Sequence, residues 1–333
     1  MSLTVNGQIM AEDIFAVKKL DTHRPVYLLV GAIEKIVVKR DNTPRPNDPR
    51  NMVHALRNMR AVDRTMATRP LTPNELREIA RFIAGEKGDA DPFDGKKYTA
   101  LDELERDLQA AGGVSWVKTS FFEGLINLED AAAEAREKVS KSGVRAMAAA
   151  LTAPGGLEKL GAILAIDAFN GNDDRFDFSN QPVVNPGLRR LTNPGNVGLC
   201  LQHNVMRPVG MDAYAGAAEF RSLDKAGQPD RGWSGYRLKD DQRGWRQRFC
   251  EEVAADIETM LGPRNRKILF AATNRLPKNA GQRLATGMDQ GIAKLKATLR
   301  TIGDPRRAPP GLIGRMVALG WANPAPPPGL PRR

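Results

Sequence analysis

The stretch FNGNDDRFDFSN, Phe169 to Asn180, gathers three aspartates and three asparagines around one arginine, directly after the most apolar run of the chain. Oxygens at this density have two uses. They form a solvated acidic turn, or they are aimed at a hard cation and a hydroxyl proton. A calcium loop of the EF-hand kind sets acids and amides at alternate positions around a glycine; here Gly171 precedes the acids instead of splitting them. Calcium therefore fits poorly, which leaves the acidic turn and the proton- and metal-handling loop.

Other residues belong to the same chemistry. In IVVKRD, the alternation of a strand sets Val37 and Lys39 on one face and Ile36 and Val38 on the other, which aims an ammonium at one side of a sheet. After a Pro/Asn/Asp-rich stretch, Met52, Leu56, Met59 and Met66 recur at helical spacing with Asp63 in register. An acid on an apolar helix face needs a cationic partner. Lys39 is the expected one, with Glu75 or Glu78 as the runner-up acid for that lysine. Downstream, NPGNVGLCLQHNVMRPVGMDAY holds Asn196 and Asp212, separated by 16 residues, a span that two short strands and a turn cover. Asn180 is a rival for Asn196. Taken singly, an asparagine in a Pro/Gly-rich loop is a turn former.

AIDAFNGNDDRF resembles the catalytic loop of the phosphoinositide-kinase-like and atypical protein kinases, whose pattern is Asn-x-Asp-Arg. Asn172, Asp174 and Arg175 match it residue by residue. The resemblance implies that Asp174 is the catalytic acid/base and that Arg175 braces the loop. It implies ATP and Mg²⁺ as cofactors, with Lys39 on the phosphates backed by Asp63, and with Asn196, Asp212 and the rival Asn180 as metal ligands. Phe176 stands where many lipid kinases carry histidine, so the implied acceptor is a protein hydroxyl. A lipid or small-molecule hydroxyl and transfer of AMP are the alternatives within the class. A pseudokinase adaptor is the alternative outside it. No Gly-x-x-x-x-Gly-Lys-Ser/Thr occurs, which argues against a P-loop NTPase.

The elements that would position these residues are legible in outline. IFAVKKL, VYLLVG and KIVVKRD read as an antiparallel meander. A helix is predicted to start at LTPNELREIARFI, with Thr72 as N-cap, Pro73 at its first position and Glu75 three residues after the cap. VSWVKTSFF reads as a strand and as the hinge. LEKLGAILAIDAF is apolar on every side except Asp167, which predicts a helix buried in a larger lobe, with Asp167 structural and paired to Arg175 or backbone donors. Trp245, Phe249, Val253, Ile257 and Leu261 make the apolar face of a later helix. The fold class expected is α+β and bilobal, protein-kinase-like, with a small antiparallel-β N-lobe over 1–113 and a larger, mainly helical C-lobe over 114–303. The Pro-rich residues 304–333 are expected as an extended tail.

The charge and the cysteines narrow the class further. The net charge is +11, and 14 lysines and arginines against 2 acids lie between Gly262 and Arg333. Such an end suits an acidic protein, a membrane surface or nucleic acid, or equally is a solvated, solubilising surface. No aromatics alternate with the bases, so no sequence-specific nucleic acid is expected. Cys200 and Cys250 match no metal or disulfide spacing. The N-terminus lacks a secretory pattern, so the chain is expected to be cytoplasmic as made. The Ala/Arg/Gly-rich composition, the missing signal and the resemblance to atypical kinases also admit a bacterial effector exported by a signal-peptide-independent secretion system.

Overall fold

A computed structural model describes residues 3–20, 25–40, 68–110, 116–137, 142–179, 188–202, 204–211, 232–269, 276–300 and 310–322. The protein is mixed α+β and divides into two compact units, the first ending at Glu123 and the second continuing from Gly124. The expected boundary at 113/114 therefore moves ten residues on, because the strand VSWVKTSFF belongs to the first sheet.

The first unit is built on strands β1 (Ala16–Lys19), β2 (Val26–Val30), β3 (Lys35–Arg40), β4 (Thr68–Pro70) and β5 (Trp116–Ser120), ordered β1-β2-β3-β5-β4 with every neighbouring pair antiparallel. The meander expected over 13–40 is present. β5 lies between β3 and β4, so it is an interior strand of this sheet. One face carries Val17, Tyr27, Leu29, Ile36, Val38 and Trp116. It packs against Ile79, Phe82 and Ile83 of helix α1 (Pro73–Glu86) and Leu101 and Leu104 of α2 (Thr99–Gln109). α1 starts as predicted. The Thr72 hydroxyl accepts from the Glu75 N–H at 3.2 Å, and the Glu75 carboxylate accepts from the Thr72 N–H at 2.8 Å, a reciprocal cap.

Glu75, a runner-up acid for Lys39, pairs with a different lysine. Lys118 lies opposite Val38 in register, on the core face, and its Nζ meets Glu75 Oε1 at 2.5 Å and the Gly7 carbonyl. Both side chains are 3% exposed. Lys39 lies opposite Val117, on the other face, so strand alternation removes Glu75 from its reach.

The second unit holds a small sheet, β6 (Ile126–Asn127), β7 (Val197–Gln202) and β8 (Val205–Gly210), in that order. β7 and β8 form the expected hairpin, turned by Asn204 at φ +62°. Around it lie α3 (Leu128–Glu137), α4 (Ser142–Thr152), α5 (Gly156–Asn170), α6 (Arg243–Leu269, broken at Gly262), α7 (Ala280–Arg300) and α8 (Pro310–Ala318). α5 is buried on all sides over its last two turns, as its sequence predicts. α7 approaches it through glycines: a Cβ at Gly287 would lie 1.9 Å from the Glu158 carbonyl oxygen, and one at Gly161 would lie 2.0 Å from that of Leu284. Phe249, Val253 and Ile257 are buried along α6.

The expectation of an extended tail over 304–333 is corrected for 310–322. GLIGRMVALGW has helical apolar spacing, and α8 buries Met316 while Leu319 is buried just beyond it. Pro310 opens the helix, where a missing N–H costs nothing.

Among the described residues, no single helix is long and apolar enough to cross a membrane. α4 and α5 pass that test only as a pair bent by 83°, and α5 is buried inside the protein.

Candidate active site

The acidic loop begins where α5 stops. Gly171 takes φ +71°, a left-handed conformation that side chains resist. The Gly171 N–H donates to the Ala168 carbonyl at 3.3 Å and the Asn172 N–H to the Asp167 carbonyl at 2.9 Å. This pair of bonds closes a helix C-terminus and turns the chain sharply, which is how a buried helix releases a polar loop.

Asp167 anchors the loop from the last turn of that helix. Its Oδ1 accepts from Asn172 Nδ2 at 3.1 Å and its Oδ2 from Arg175 Nη1 at 3.1 Å. Asp167 and Arg175 have no exposed surface, and Asn172 is 1% exposed. Burial pushes the Asp167 carboxyl up to about 6, against the opposing pull of Arg175 and Asn172. The other arm of Arg175 donates to the carbonyl of Met211, at the far end of β8. Arg175 therefore joins the helix, the loop and the hairpin from inside, so its role is to brace them.

Between Arg175 and Asn196 the chain leaves and returns. The Asp177 N–H donates to the Arg190 carbonyl at 2.8 Å, the Thr192 N–H to the Arg175 carbonyl at 3.1 Å, and Phe176 and Leu191 form an antiparallel bridge. The returning segment is anchored by Asp256 of α6, buried, whose carboxylate accepts from the N–H groups of Arg189 and Leu191 at 2.9 Å and from that of Arg190 at 2.5 Å. Thr192 Oγ1 donates to the Asp174 carbonyl at 2.9 Å. The consequence is a contact across 22 residues: Asn196 Nδ2 donates to Asp174 Oδ2 at 2.7 Å.

Asn196 also opens the hairpin. The Met211 N–H donates to its carbonyl at 2.9 Å, so the two ends of β7–β8 meet beside Asp174. Asn172, Asp174, Arg175 and Asn196 are thus one constellation in the second unit. Asp174 is exposed, whereas Asn172 and Arg175 are buried beneath it. Phe176 is fully buried against Phe178, which stacks on Phe249 at 5.0 Å, so its side chain is core. Lys39 belongs to the first unit, on the β3 face that also carries Val37, Leu28 and Val26. Asp63, Asn180 and Asp212 lie outside the described residues.

Among the described residues, no three His, Cys, Asp or Glu side chains converge on a metal-sized space. What the loop and hairpin bring together is the Asp174 carboxylate and the Asn196 amide, whose Nδ2 faces that carboxylate; the Oδ1 of Asn196 is left as an oxygen that would suit a hard ion keeping water and phosphate oxygens as its other ligands.

Thr192 and Asp256 were not anticipated from the sequence. Asp256 carried a signal: it sits three residues after Val253 on the apolar face of α6, as Asp63 does among its methionines. Thr192 carried none, because its partner is a main-chain carbonyl. No family model matches the chain, and no curated protein matches it.

Proposed function

We propose that the chain is an atypical kinase: a phosphotransferase that moves the γ-phosphoryl group of ATP to a protein hydroxyl, with the first unit as its small lobe and the second as its large one. The observation that carries this is the 2.7 Å contact of Asn196 with Asp174. Phosphoryl transfer asks little covalent work of a protein; it asks for a positioned acid, metal-binding oxygens and a cation at the phosphates. Asp174 is exposed at the surface while Asn172 and Arg175, on either side of it in the loop, are locked in the interior. It accepts the proton of the attacking hydroxyl as the new P–O bond forms and the bond to the leaving ADP breaks.

Asn196 fixes the orientation of that carboxylate, and so is preferred over Asn180 as the metal-site amide. Asn196 and Asp212 are the residues that would hold Mg²⁺, which would supply charge compensation at the phosphates. Lys39, on a sheet face that also carries Lys18 and Lys35, is the cation the first unit would offer to phosphate oxygens, with Asp63 as the acid that the resemblance implies.

The test is incubation with γ-labelled and, separately, α-labelled ATP, with Mg²⁺ and a cell extract. Transfer of the γ label supports the proposal. Transfer of the α label makes the protein an AMP transferase on the same site, and label recovered in lipid or small molecules changes the acceptor. No transfer of either label leaves an adaptor that docks through its basic end.

A further inference from the structure

The loop that carries Asp174 is held from a direction its own sequence does not announce. Phe169 occupies the last turn of α5, where carbonyls lack helical partners. Its carbonyl accepts from Trp233 Nε1 at 3.2 Å and from Arg315 Nη1 of α8 at 3.4 Å. Arg315 is 5% exposed, and its guanidinium lies over the Trp233 ring at 5.6 Å. A cation at a helix C-terminus is favourable because the helix dipole is negative there.

The end of α8 adds a second clamp. Gly320 takes φ +69°, the Gly320 N–H donates to the Val317 carbonyl at 2.9 Å, and the Trp321 N–H donates to that of Met316 at 2.8 Å. The same closing motif that ends α5 thus ends α8 and folds Trp321 back. Its ring stacks on Phe169, 5.6 Å between centroids and 1° from parallel, with Lys296 of α7 over it at 5.2 Å. Phe169 is held by three aromatic and cationic groups, two of them from 310–322.

We infer that residues 310–322 are a positioning element of the candidate active site: Arg315 and Trp321 fix Phe169, and through it the point from which Asn172 and Asp174 leave α5. The inference rests on the phosphotransferase reading for its catalytic consequence, though not for the mechanical one. Arg315 and Trp321 act through Phe169 and touch no reacting group. A brace of this kind affects turnover more than nucleotide affinity, because misplacing a reacting acid slows the chemical step.

The experiment compares wild type with Trp321→Ala, Trp321→Phe and Arg315→Lys in the full chain. It reads kcat and KM for ATP, together with hydrogen exchange at the amides of residues 170–175. Trp321→Ala is expected to lower kcat on the order of tenfold to a hundredfold with KM little changed, and to speed exchange at Gly171 and Asn172. Trp321→Phe is expected to restore both. If Trp321→Ala does not fold, Arg315→Lys is compared directly with wild type, and Trp321→Phe is the folded control. Unchanged kcat, or unchanged exchange in the loop, overturns the inference. If the wild type transfers no phosphate, the phosphotransferase reading fails by itself and exchange alone decides whether the brace exists.

Discussion

Asn196 holds one oxygen of Asp174 at 2.7 Å, although 22 residues of chain separate them. The pair is the point at which the loop from α5 and the start of β7 become one site. Asp174→Ala is expected to lower phosphoryl transfer by a hundredfold or more, roughly the span of general-base catalysis, while ATP still raises the melting temperature. Kinetics and thermal shift on the same preparation check both halves; transfer at the wild-type rate would remove Asp174 from its role.

Asn196→Ala leaves the acid in place and removes what aims it. Turnover should fall by about tenfold to a hundredfold, and the Mg²⁺ concentration needed for half-maximal rate should rise. A titration of rate against Mg²⁺ measures this. An unchanged metal requirement would return the metal-site amide to Asn180.

Lys39→Met tests the first unit separately. The expected effect is a raised KM for ATP with melting temperature nearly unchanged, since Lys39 stands outside the core face of its sheet. Lys118→Met is the contrast. It strips Glu75 of a buried ion pair and should cost about 3–5 kcal/mol of stability, as removal of one buried partner does, read by denaturant unfolding.

Asp167 gives the site a pH dependence of definite sign. Its carboxyl is pushed up to about 6 by burial, above the ordinary 3.8. The folded state therefore binds this proton more tightly than the unfolded chain does. Through this group alone, stability is fullest below the unfolded value and declines as pH rises through about 6. Activity should run the other way, because the charged carboxylate is what pairs with Arg175. Transfer rates should rise from about pH 5 to 8, and Asp167→Asn should remove the part of that limb set by the Arg175 pair, leaving what Asp173, likewise pushed up to about 6 by burial, contributes. A flat profile in the wild type, with the acid limb absent, contradicts the role given to the Asp167–Arg175 pair.

Much of the fold is legible in the sequence where chemistry is local. The Thr72–Glu75 cap, the β7–β8 hairpin and the burial of α5 each arise from a few adjacent residues whose spacing admits one local structure. That Asn172, Asp174 and Arg175 share one loop was legible for the same reason, as was the burial of an acid at 167 beside an arginine. Partner choice across the fold was not legible. Glu75 took Lys118 and not Lys39 because strand alternation, set by register with β3, decides which lysine faces the helix. The helix at 310–318 was obscured by the prolines around it, which weigh on composition without touching the apolar spacing from Leu312 to Leu319. The first boundary was displaced because β5 must cross to pair between β3 and β4, a long-range choice that its own residues do not encode.

The excursion between Asp177 and Arg190 is pinched at its base by the Phe176–Leu191 bridge and by Asp256, which grips three successive amides. Distance along the chain is thereby uncoupled from distance in space. The acid and the amide are placed by these anchors and not by the number of residues between them, so a pattern demanding fixed spacing would pass over any chain that keeps the same anchors.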